Sequence, residues 1–233
     1  MMKKQINSLI YSFLVMGVLL IFAGSCKKED NNNNTNSANT FTDPRDGNVY
    51  DTVTIGTQTW MAENLRYLPS VAGPGTGSFT TPYYYVYHNV GTNVQEAKAN
   101  INYFNFGVLY NWTAAISACP SGWHLPSDAE WTQLIDYLGG DGTAGGKLKE
   151  AGTSHWNSPN TGATNETGFT ALPGAYRHLD GKFYDFGSFG YWWSATEYGT
   201  SEAWLRCIHY SYSDVFRYNL DKQLGFSVRC VKD

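Results

Sequence analysis

The sequence predicts an α+β fold, with two main helices in the first half of one domain and a C-terminal antiparallel β-meander after them. Three observations carry that expectation. Apolar residues recur at helical spacing in Val108–Ala118 and again in Trp131–Leu138. Beyond residue 152 the pattern changes to short aromatic and β-branched runs between Gly, Asp and Ser turns. The 233 residues suffice for one domain with terminal extras, because domains usually run to about one or two hundred residues.

The extras stand at the N-terminus. Lys3 and Lys4 precede an apolar run from Leu9 to Ala23. A positive head before a short apolar core describes a secretory signal peptide, and the run is too short for a membrane span. Ala23-Gly24-Ser25-Cys26 places small residues before a cysteine and resembles a bacterial lipobox. That resemblance implies cleavage after residue 25 and a lipid on Cys26. Lys27-Lys28-Glu29-Asp30 resembles the signals that send lipoproteins to the outer face of the outer membrane. The Asn-rich stretch that follows has little to bury, so residues 26–42 are expected to be a flexible tether. The domain is expected over residues 43–233.

Asp43-Pro44-Arg45-Asp46-Gly47 opens the domain with turn chemistry. Val49–Ile55 and Thr57–Met61 read as a hairpin turned at Gly56. Residues 69–95 are irregular, with a short strand near Pro82–Tyr87. Val108–Ala118 is expected to be the first main helix. The second follows Pro126: Ser127-Asp128-Ala129-Glu130 forms a capping box, Trp131, Leu134, Ile135 and Leu138 make one apolar stripe, and Gly139-Gly140 ends it. A shorter helical piece is expected at Gly146–Ala151. Phe169–Leu172, Ala175–Leu179, Phe183–Phe186 and Tyr191–Thr196 are short strand candidates. Trp204–Tyr210, Val215–Tyr218 and Phe226–Val231 are the expected meander.

The chain carries 16 basic and 20 acidic side chains, net −4, and loss of Lys3 and Lys4 with the signal would make it more acidic. No basic stripe is present, so a nucleic-acid partner is not expected. Aromatic residues make up 16% and charged residues only 15%, which suits a loop-rich exported fold. Cys119, Cys207 and Cys230 would meet an oxidising compartment, so one disulfide is expected, with three pairings open.

Four segments carry a family resemblance. They are Asp43–Gly47 with Ile55–Leu65, Cys119–Trp131, Trp192–Glu197 and Gly225–Val231. In this order they resemble the Fibrobacter succinogenes major paralogous domain family. The motifs Trp123-His124-Leu125-Pro126-Ser127 and Gly225-Phe226-Ser227-Val228-Arg229 are also similar to those of the formylglycine-generating enzyme superfamily. That second resemblance implies a C-type-lectin-like fold and a Cys119–Cys230 disulfide, leaving Cys207 as a buried free thiol. The closely spaced cysteine pair of those oxidases is absent, so their chemistry is not carried over. The Glu-Pro-Asn, Gln-Pro-Asp and Trp-Asn-Asp tripeptides of calcium-dependent lectins are absent too.

Trp60, Trp123, Trp131 and Trp193 lie inside these signatures and are expected in the core. Glu63 and Asn64 are expected to bond loop backbone, and His124 to be structural. No catalytic motif is present, so no enzyme activity is expected. The five histidines have no ligand spacing, and no cofactor is expected beyond room for one structural calcium. Function is expected in Trp204–Asp221, where Tyr, Ser, Arg and Asn dominate as they do in binding surfaces. The candidate contacts are Tyr191, Trp204, Arg206, His209, Tyr210, Tyr212, Asp214, Arg217 and Tyr218, of which alternation lets about half share a face. The expected role is an outward-facing, outer-membrane, lipid-anchored module that binds a glycan or protein. One alternative is an envelope lipoprotein without a ligand. The other is a hydrolase using a carboxylate pair drawn from Glu166, Asp185 and Glu197.

Overall fold

The computed structural model describes residues 39–233. The expected signal peptide, Cys26 and most of the tether lie outside the described residues. The elements run β1 (Asn39–Thr42), β2 (Val49–Ile55), β3 (Gln58–Met61), β4 (Tyr84–Tyr85), α1 (Val94–Ala99), α2 (Ile101–Phe106), β5 (Leu109–Tyr110), α3 (Trp112–Ala115) and β6 (Trp123–His124). They continue as α4 (Asp128–Tyr137), α5 (Asp141–Leu148), β7 (Tyr176–Arg177), β8 (Phe183–Tyr184), β9 (Phe189–Glu197), β10 (Glu202–His209), β11 (Val215–Asp221), β12 (Phe226–Ser227) and β13 (Val231–Lys232).

The strands form a five-stranded sheet ordered β1-β2-β3-β13-β6, a six-stranded sheet ordered β11-β10-β9-β12-β5-β4, and the β7-β8 hairpin. The fold is therefore mostly β with short helices, about 17% helical. The expected α+β arrangement of a C-type-lectin-like domain with two main helices is not what forms. The run read as the first main helix explains why. Leu109 and Tyr110 are both buried and pair as β5 between β12 and β4. Asn111 then caps the four-residue α3, its side chain accepting from the Ala114 amide. Burial on both sides, rather than on one stripe, turned these residues to strand.

The C-terminal segment is the second correction. The antiparallel meander is β9-β10-β11. Phe226–Val231 does not continue it. Its first part, β12, lies parallel to β9 on the other side and pairs with β5, while β13 pairs with β3 and β6 in the other sheet. Every residue from Phe226 to Val231 is buried, which suits a central connector joining two sheets and not an edge. Smaller differences follow. Asn39–Thr42, read as tether, pairs with β2. Phe169–Leu172 forms only a bridge, between Ala171 and Lys149. The short helix expected at Gly146–Ala151 begins earlier, at Asp141.

α4 forms as expected. Ser127 accepts from the Glu130 amide, Glu130 accepts from the Ser127 amide, and Trp131, Leu134 and Ile135 are buried. Each large apolar side chain buried in this way contributes about 1.5–3 kcal/mol. These residues join Trp60, Trp156, Phe169, Trp192 and Ile208 in one core. A second core gathers Tyr50, Leu65, Tyr110, Trp193, Leu205 and Phe226. Asn64 ties the layers together. It donates to the Phe106 carbonyl and to Ser227 Oγ, and it accepts from Trp192 Nε1 and from buried Arg229. Glu63 accepts from the Asp51 amide. Cys119 and Cys230 form a disulfide, with Cα atoms 5.9 Å apart, and Cys207 is free and buried. Among the described residues no helix is long and apolar enough to cross a membrane.

Candidate functional site

Alternation along β9, β10 and β11 sorts the nine candidate residues onto two faces. Register sets Arg206 opposite Arg217 and Trp204 opposite Asn219. This face turns toward α4. Arg206 is buried and donates to Asp128 at 2.6 Å, and Arg217 forks onto the same carboxylate at 2.9 and 2.8 Å. The Arg217 guanidinium also lies 3.3 Å from the Trp204 ring centre. Burial works against the charge of Asp128, but hydrogen bonds from Arg217 and Arg206 outweigh it and hold the carboxyl below its usual range. Trp204, Arg206 and Arg217 are thus occupied in fastening the sheet to the start of α4. Tyr210 packs against the core beneath α4 and α5.

The opposite face is aromatic and open. Phe189, His209, Phe216 and Tyr218 from the strands meet Tyr212 and Asp214 from the β10–β11 turn around a depression of about 360 Å³. The rings touch in succession. Phe189 lies 4.2 Å from His209, His209 5.3 Å from Tyr212, Tyr212 5.9 Å from Phe216, and Phe216 6.2 Å from Tyr218. Tyr212 and Tyr218 are about half exposed, at 53% and 49%. Tyr191 extends this surface: it stacks on Phe189 and on Phe226, and its hydroxyl donates to Asp185 at 2.6 Å. The structure therefore brings together four of the nine candidates, His209, Tyr212, Asp214 and Tyr218. Phe189 and Phe216 complete the lining. Both stand two residues from a candidate on the same strand face, Tyr191 and Tyr218, and that spacing was the readable signal.

The turn carrying Tyr212 and Asp214 is held from behind. Lys149 is fully buried, and its ammonium donates to the carbonyls of Thr161 and Tyr212 at 2.8 Å, of His209 at 3.3 Å and of Tyr210 at 3.5 Å. Burial pushes its pKa down to about 8. Gly145 lets the backbone of α5 sit directly against the turn, Gly146 lets it sit against Gly162, and the Gly146 amide donates to the Ser213 carbonyl at 3.1 Å. A Cβ on Gly145 would overlap the Asp214 carbonyl. No sequence motif announced this clamp, because a lysine after an apolar residue usually marks a solvated face.

His209 is neutral in this setting. Burial and the charge of Lys149 lower its pKa, against a smaller opposing effect of Asp185. Its Nδ1 lies 3.3 Å from the Ser211 amide and 2.7 Å from Ser211 Oγ, so Nδ1 accepts and Nε2 carries the proton.

Other candidate chemistry is dispersed. Glu166 pairs with Lys147, Glu197 with Lys222, and Asp185 accepts from Tyr191. His124 bridges Glu130 and Asp233 at 2.7 Å each. Among the described residues no group of three or more His, Cys, Asp or Glu is placed to hold a metal ion. A larger depression of about 540 Å³ lies beside Asn48, Glu63, Arg66 and Tyr103. Most of its polar groups already serve the fold: Arg66 donates to the Val49 carbonyl, Tyr103 to the Arg66 carbonyl, and Glu63 accepts from the Asp51 amide. The smaller depression, with outward rings and a carboxylate left over, is the better site despite its size.

No curated protein and no solved structure matches the chain. Residues 53–232 match the Fibrobacter succinogenes major domain, a span that takes in β3, α4, the meander and the disulfide. With that match over most of its length, the chain belongs to the Fibrobacter succinogenes major domain family.

Proposed function

We propose that the protein is a non-enzymatic, lipid-anchored binding module displayed on the outer membrane. It recognises a glycan or protein ligand at the aromatic depression of the β9-β10-β11 sheet. The observation that carries this reading is the set of five rings turned outward around Asp214, on a turn braced by a buried lysine. Large rings left half exposed cost solvation free energy, and contiguous apolar patches on soluble folds mark contact surfaces. Tyr in particular offers wide contact area with a polar tip at low conformational cost. The export features at the N-terminus support display at the cell surface, where such a face would meet ligands.

The test is an array of glycans and cell-surface proteins probed with the parent chain and with a Tyr212→Ala/Tyr218→Ala variant. Both tyrosines are exposed, so the variant is expected to fold as the parent does. Ligand capture by the parent, reduced about tenfold or more in the variant, is the expected result, since central aromatic contacts often carry about 2 kcal/mol each. Equal capture by both would move the site elsewhere. Silence from both would favour an accessory envelope role without a ligand.

A further inference from the structure

The depression holds five rings and a single charge. Among the described residues, no hydrogen bond or ion pair reaches the carboxylate of Asp214, which stands half-buried in the lining. Nothing cationic shares its side of the sheet at this point. Arg206 and Arg217 are turned to Asp128 on the far face. Lys149 lies behind the turn with its ammonium given to four carbonyls. His209 is neutral and presents a ring face and an Nε2 proton.

A half-buried carboxylate without a cation, set among π faces, is a partial site whose missing member is positive. Ring quadrupoles attract a cation within about 6 Å of their centres, and most strongly when it sheds water. Saccharide recognition asks for several planar polar groups, carboxylates or amides, converging on successive pairs of hydroxyls, and here one carboxylate stands alone. The lining contains no Asn, Gln, Arg or Lys. Of the successive rings, Phe216 and Tyr218 lie nearly parallel, at 10°, but Phe189 and His209 are inclined by 50°, His209 and Tyr212 by 35°, and Tyr212 and Phe216 by 83°, so the set gives walls around Asp214 rather than one flat platform.

We infer that the depression receives an alkylammonium group, presented by a lysine side chain of a protein partner. This rests on the binding function proposed above and names its ligand class. The ammonium meets the Asp214 carboxylate, and its methylenes lie along the rings of Phe189, Tyr212, Phe216 and Tyr218.

The experiment is a titration of the protein, followed by amide and aromatic NMR shifts, with three probes. The probes are a short lysine peptide blocked at both ends, tetramethylammonium chloride and a neutral cello-oligosaccharide. Each is repeated with Asp214→Asn, which removes charge from a side chain that bonds nothing in the fold. The expected result is saturable shifts at the depression with the lysine peptide, weakened about tenfold in Asp214→Asn and weakened by added salt. Binding of the oligosaccharide alone, unchanged in Asp214→Asn, would overturn the inference and leave the binding function standing. A response to tetramethylammonium but not to the peptide would overturn the protein source. Silence to all three probes, beside a positive ligand array, would overturn the inference alone; silence in both experiments would overturn both readings.

Discussion

At the scale of single residues, two buried groups do work that their types do not announce. Asn64 satisfies donors and acceptors from three segments at once, Phe106, Trp192 and the Ser227–Arg229 run. Lys149 satisfies four carbonyls with no carboxylate beside it. An ammonium buried in this way costs stability while charged, and the cost has a pH signature. The folded chain releases the Lys149 proton near pH 8, whereas the unfolded chain holds it to about 10.5. Between those values the unfolded state binds more protons, so stability rises with pH. Cys207 acts in the opposite sense, because burial raises its thiol from 9.0 to about 12 and the folded state keeps a proton that the unfolded state loses. The lysine effect is therefore cleanest just above pH 8. Urea unfolding from about pH 7.5 to 9 is expected to show stability rising in the parent and flat in Lys149→Met. The same slope in both chains would assign it to another group. Asn64 was legible as a backbone-bonding residue; Lys149 was not, because only the tertiary path of the 209–212 turn places carbonyls around it.

At the scale of elements, legibility followed locality. The α4 start was readable because the capping box is written within four residues and needs no partner from elsewhere. α1 and α2 carried the same kind of signal in Asn93 and Asn100, whose side chains accept from the first-turn amides, but each helix is too short for an apolar stripe. β5 and β12 were misassigned because a two-residue strand is defined by its neighbours. α5 shows the same dependence in a testable form. Its two glycines at 145 and 146 read as poor helix formers, yet Gly145 is what lets the helix touch the turn under the site, and Gly146 lets it touch the backbone of Gly162. Gly145→Ala is expected to destabilise the protein by about 1–3 kcal/mol, the usual cost of forcing volume into a closed contact, and to weaken ligand capture by displacing Asp214. Gly142→Ala, in the same helix with open space around it, is expected to stabilise by about 0.5–1 kcal/mol through backbone entropy alone. Thermal unfolding of the two variants decides the matter. Equal effects of one sign would mean that α5 does not seat on the turn.

At the scale of the whole molecule, the determining feature is the path of the last residues through both sheets. Phe226–Ser227 closes the six-stranded sheet, and Val231–Lys232 enters the five-stranded one. The family motifs made this segment conspicuous, but an unbroken buried run reads equally as a meander strand or as a connector, and only the placement of β5 and β3 decides. The candidate site was half legible for a related reason. Composition located the segment, and alternation divided it, but which face was open depended on α4 covering Arg206 and Trp192. Cys230 sits between β12 and β13, so its bond to Cys119, across 111 residues, anchors the connector to the end of the chain segment following α3. If the connector holds the sheets together, the disulfide stabilises the whole fold and not one loop. In the chain-entropy account, closing a loop of this length is worth up to about 4–5 kcal/mol, commonly less. Cys119→Ser/Cys230→Ser is therefore expected to lose about 2–5 kcal/mol in one cooperative transition, seen alike by Trp fluorescence and by far-UV circular dichroism. Adding reductant should shift the parent toward the variant and leave the variant unmoved, while Cys207, buried and unpaired, contributes nothing to the difference. Two separated transitions in the variant would show that the sheets fold independently and that the connector does not couple them.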